Sequence, residues 1–84
     1  LDVRTAGEWD NGRIEGATHI PLRDLMAELA QLPTDKAASI VVYDNPTHRS
    51  SVALVLLKLL GYENVRVLGG GSGAWEKAGF ELVK

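Results

Sequence analysis

The 84 residues contain no cysteine. Disulfides, thiolate metal sites and thiol nucleophiles are therefore excluded within them. Basic excess is also lacking: nine Lys and Arg face eleven Asp and Glu, a net charge of −2. That leaves no electrostatic footprint for nucleic acid or an anionic membrane. No apolar run approaches the ~20 residues of a membrane span, and no signal peptide is visible. A cytoplasmic location is the expectation. Only five residues are aromatic and three are proline, so neither stacking surfaces nor proline-rich segments dominate.

What remains is an ordinary globular composition, 45% hydrophobic and 24% charged. Residues 1–84 make one small domain, which buries only ~60–65% of its unfolded surface and has a thin stability margin. Leu1-Asp2-Val3 reads as the end of a buried strand, so an upstream continuation is expected.

Thr5 and Glu8 have the spacing of a capping box, opening a short helix that Asn11-Gly12 ends. Residues 14–20 read as an extended, glycine-punctuated connection. Pro21 suits a first helical position, and Leu22, Leu25, Met26 and Leu29 follow at the spacing of an amphipathic α-helix. That stripe is expected in the core. Residues 40–43, Ile-Val-Val-Tyr, form a strand too apolar to alternate, which predicts burial on both faces. A nearly unbroken apolar helix is expected over residues 50–60, stopped by Gly61. Residues 65–68 read as another strand, and the glycines of 69–73 turn into a last short helix holding Trp75. Strands alternating with helices predict an α/β fold with a parallel sheet.

The segment most loaded with chemistry is Asp44-Asn45-Pro46-Thr47-His48-Arg49, between the strand at 40–43 and the helix at 50–60. Such a turn gathers N–H groups at the positive end of a helix dipole, a place for an anion or a nucleophile. Asp44 has two readings. Its carboxylate caps the helix as a built-in anion, or it is a nucleophile for hydrolysis or phosphoryl transfer. The second use wants another acid and Mg²⁺ nearby, and Asp2 is the one available partner. Arg49 is either a ligand-binding cation or the partner of Asp44. His48 is either a proton shuttle or a solvated loop residue. His19 and His48 are too far apart in sequence to suggest a metal site, and no metal or cofactor is expected. Residues 69–74 match G-x-G-x-x-A, but no βαβ unit or ribose-binding acid follows, so a tight turn beside the 44–49 loop is expected instead. Trp9 and Trp75 are expected as core or near-core anchors, and Arg4 with Glu8 as an i,i+4 pair.

Five segments, in order, resemble the rhodanese-like domain family. They are Asp2-Val3-Arg4 with Glu8-Trp9, the run Gly12-Arg13-Ile14-Glu15-Gly16-Ala17, Ile20-Pro21, Val41-Val42-Tyr43, and Leu68-Gly69-Gly70-Gly71 with Ala74-Trp75 and Ala78-Gly79. Arg13 stands where that family usually has His. The resemblance implies a five-stranded parallel sheet flanked by helices on both faces, with the first strand and helix missing here. It also implies that residues 44–49 correspond to a loop of pattern C-R-x-G-x-R, whose cysteine carries a persulfide. Asp44 falls on the cysteine, Asn45 on the first arginine, Thr47 on the glycine and Arg49 on the last arginine. The resemblance thus implies an inactive loop, in a structural, regulatory, partner-binding or anion-binding module of a larger protein. The expected partners are a second domain of that protein, another protein or a small anion. Two alternatives stand beside it: part of a sulfurtransferase whose cysteine lies elsewhere, and Asp-dependent hydrolysis or phosphoryl transfer.

Overall fold

A computed structural model describes all residues, Leu1 to Lys84. Its sheet is parallel. Strand β1 (Ile40–Val42) pairs with β2 (Val65–Val67) in the register Ile40 to Val65. On the other side, residues 1–3 join through Tyr43 N–H to Leu1 C=O and Val3 N–H to Tyr43 C=O. Residues 18–20 follow, bridged to Asp2. Four parallel segments therefore lie side by side.

Helix α1 (Ala6–Asp10) begins with the expected capping box, in which Thr5 and Glu8 bond each other's backbone N–H. Helix α2 (His48–Leu59) starts two residues earlier than expected. Helix α3 (Gly71–Lys77) carries Trp75. The core joins Val3, Ile20, Leu25, Ile40, Val42, Ala53, Leu57 and Val65. It lies where α2 covers one face of the sheet. No helix is long and apolar enough to cross a membrane.

Two sequence expectations are corrected here. The stripe at 22–29 does not form an α-helix but two 3-10 segments, Leu22–Ala27 and Leu29–Gln31. At three residues per turn, positions i and i+3 share a face while i+4 rotates away. Leu25 is accordingly fully buried, whereas Met26 is 55% exposed and Leu29 lies at the surface. Nor is β1 buried on both faces. Side chains alternate along a strand, so Ile40 and Val42 enter the core while Val41 points out. Val41 lines a groove of about 340 Å³ with Leu1, Ile14, Leu68 and Trp75.

Candidate functional site

The loop leaves β1 at Tyr43 and enters α2 at His48. Its tip, Asn45 and Pro46, is exposed and joined by a cis peptide bond. The shape is imposed from the far end of the chain. Leu68 N–H bonds Val42 C=O and Ser72 N–H bonds Asp44 C=O at 2.8 Å, bringing the start of α3 against the loop. Gly71 sits there with φ +63°, and a Cβ on it would overlap the carbonyl oxygens of Asp44 and Pro46. Only glycine tolerates both that backbone angle and that approach. Residues 69–73 are thus a tight turn packed on the loop.

Asp44 is completely buried. Its Oδ2 accepts the Arg49 backbone N–H at 2.9 Å and Arg49 Nε at 3.3 Å. Its Oδ1 accepts the Ser50 hydroxyl at 2.7 Å. The helix is therefore capped from three residues before its N-cap, since the Thr47 side chain makes no capping bond. The ring of loop amides expected around this carboxylate is reduced to one, Arg49 N–H. The other bonds come from side chains, and the Asp44 and Pro46 carbonyls face Gly71 instead.

Arg49 is the hub. Besides Asp44, it meets Glu8 in a two-pronged pair, Nη1 to Oε1 at 2.6 Å and Nη2 to Oε2 at 3.0 Å. Arginine–carboxylate forks of this kind are the stronger class of charge-assisted hydrogen bond. Hydrogen bonds from Arg49, opposed by partial burial and helped by Thr5, hold the Glu8 carboxyl down at about 2. Glu8 in turn raises the Arg49 guanidinium above its ordinary value, burial opposing and Asp44 assisting. Because the folded-state Glu8 value is depressed, its contribution to stability is present above the usual carboxylate range. That contribution fades as pH falls toward 2. The Arg49 side chain keeps 30% of its surface. It lines a cleft of about 410 Å³ with Val3, Thr5, Gly7, Pro21 and Arg23.

The proposed Arg4–Glu8 pair is not formed. Arg4 turns back on Asp2, both being buried, with Nε and Nη2 on its carboxylate at 2.8–3.1 Å. Arg4 Nη2 also donates to Gly12 C=O at 2.6 Å. Glu8 is thereby left to Arg49, 41 positions away. Asp2 cannot serve Asp44 as a second acid, since Arg4 occupies its oxygens. Asp44 has no exposed surface from which to attack a substrate, so nothing in this geometry favours the phosphoryl-transfer reading. No group of three His, Cys, Asp or Glu side chains converges.

His48 is exposed and makes no side-chain hydrogen bond. His19 lies away from the loop, with Nε2 2.8 Å from Arg4 C=O and its ring stacked on Trp9 at 4.7 Å. Both tryptophans are half-buried; Trp75 stacks on Phe80 at 4.5 Å. Sequence reasoning missed two members of the site, Glu8 as the clamp on Arg49 and Ser50 as a donor to Asp44. Ser50, as a polar residue opening an apolar helix beside an acid, carried a local signal. The Glu8 contact carried none.

Comparison with known proteins gives the family. The family model for the rhodanese-like domain matches residues 1–78. Thiosulfate sulfurtransferase PspE of Escherichia coli is 31% identical over 70 residues, covering 83% of this chain and 67% of PspE. The probable adenylyltransferase/sulfurtransferase MoeZ of Mycobacterium tuberculosis is 40% identical over 79 residues. There the match takes in 92% of this chain but only 20% of MoeZ. The crystal structure of the Rhodanese_3 like domain of Anabaena sp. Alr3790 superposes with a TM-score of 0.88 at 32% identity. That superposition covers 99% of this chain and 94% of the other. The parallel sheet with its flanking helices, the glycine turn under the loop and these matches together make the chain a member of the rhodanese-like domain family, related to sulfurtransferases.

Proposed function

We propose that these residues form a rhodanese-like domain that does not itself transfer sulfur. It serves instead as a structural, regulatory or partner-binding part of a larger, cytoplasmic protein. The observation that carries this is Asp44. In this reading it takes the family's cysteine position; it is fully buried, with its carboxylate oxygens bonded to Arg49 and Ser50. A carboxylate lacks the soft nucleophilicity that lets a thiolate take sulfur. In this reading Asp44 is the loop's resident anion, and a free anion takes its buried place in the loop only where that carboxylate is removed.

Pure protein incubated with thiosulfate and cyanide is expected to form no thiocyanate above a boiled control. Thiocyanate formation above that background would overturn the proposal.

A second reading has one observation behind it. MoeZ is named an adenylyltransferase/sulfurtransferase, and this chain matches only a fifth of it. In that arrangement the domain belongs to a sulfurtransferase whose cysteine lies outside the 84 residues. Thiocyanate formation by the full-length protein, absent from these residues alone, distinguishes it.

Restoring the nucleophile should take more than one substitution. In Asp44→Cys the thiol meets one backbone N–H and an arginine already neutralised by Glu8, with no arginine at Asn45. Its pKa is expected near the free value of ~8.5. Alkylation rate against pH reports it. A thiolate already formed near pH ~6 would mean that the loop still stabilises anions as an active site does.

A further inference from the structure

The Arg49 cleft contains an electrostatic conflict. Its wall carries the Arg49 guanidinium, 30% exposed, and that group is held by two carboxylates, Glu8 and Asp44. The local balance is one negative charge. Glu8 clamps both terminal nitrogens of Arg49, so the outward prongs of the fork are already engaged. Asp44 takes Nε from the inside. The side chain placed to greet an oxyanion is thus paired on two sides by groups of the same sign as that ligand. The other charged residues of the cleft, Arg23 and Asp24, lie 3.9 Å apart and offset one another.

We propose that Glu8 sets the charge selectivity of this cleft. While it holds Arg49, small tetrahedral oxyanions are turned away; loss of its charge converts the cleft to an oxyanion site. The inference rests on Asp44 being the loop's resident anion, and it assigns the exclusion to a residue on a different element.

The test is a sulfate titration followed by nuclear magnetic resonance of the Arg49 Nε–H and the backbone amides of Asn45 and residues 47–50, with chloride at matched ionic strength. Glu8→Gln removes the charge but keeps a residue suited to the capping box, so α1 retains its start. Removing one like charge a few ångströms from the ligand is expected to tighten sulfate binding by about tenfold. The gain should vanish in Glu8→Gln/Arg49→Gln. Glu8→Asp keeps the charge, and should bind sulfate no better than the parent. Equal affinity in parent and Glu8→Gln overturns the proposal. So does a gain that survives loss of Arg49, or one shared by Glu8→Asp. Thiocyanate formation by the parent would instead strike the non-catalytic reading, and the two outcomes are separable.

Discussion

Asp44→Ala is expected to melt on the order of 10–20 °C below the parent, a loss of about 2–3 kcal/mol for a domain this small. A helix cap alone accounts for ~0.5–2 kcal/mol, and hydrogen bonds to a charged group for ~1.5–3 kcal/mol. The terms do not add in full. Ser50 Oγ keeps Thr47 C=O at 3.1 Å, and Arg49 keeps Glu8. What is lost outright is the acceptor for Arg49 N–H at the start of α2. Sulfate should partly restore the variant, by occupying the space that the carboxylate leaves, and should help the parent less. Thermal melts in sulfate and in chloride at equal ionic strength decide it. If the variant melts no lower, or sulfate lifts both midpoints equally, Asp44 is a solvated loop residue rather than a structural anion.

Arg4→Ala should cost more, about 3–5 kcal/mol, as expected when one partner of a buried ion pair is removed. Asp2 has no exposed surface and would keep only the backbone N–H of residue 4 at 2.9 Å. Gly12 C=O would lose its 2.6 Å donor, and the Tyr43 ring would lose the guanidinium 5.5 Å from its centre. A domain of this length has roughly 4–13 kcal/mol in all, so the variant approaches the edge of folding. Replacing both partners with apolar residues, Asp2→Leu with Arg4→Met, should recover much of the loss, because no uncompensated charge then remains. Urea unfolding of the three proteins is the measurement. A single-variant cost below about 1 kcal/mol would mean the pair behaves as a surface one, which its burial forbids.

The features legible in the sequence were those written in local spacing. Thr5 and Glu8 sit three apart, and a capping box forms. Strand and helix alternate, and the sheet is parallel. Gly69-Gly70-Gly71 follows a strand, and the chain turns there. The misjudged features depend on distance or on fine periodicity. Three leucines and a methionine at 22–29 fit an α-helical stripe, yet a tighter 3-10 path satisfies Leu25 while leaving Met26 in solvent. The apolar neighbours of Val41 suggest burial, but burial on its side depends on what covers that face. The four-residue spacing of Arg4 and Glu8 suggests a pair. Asp2, nearer to Arg4 and already buried, outcompetes Glu8, and Arg49 arrives from 41 residues away to take it. Periodicity carries no trace of such a contact.

The glycine pressed against the Asp44 and Pro46 carbonyls makes the loop a poor candidate for transplantation. Its contour is held by a segment more than 20 positions downstream, so a six-residue loop grafted alone would arrive without its mould. Swapping in the loop of a cysteine-bearing relative would also require the matching 69–73 turn, and the smallest transferable unit is the pair.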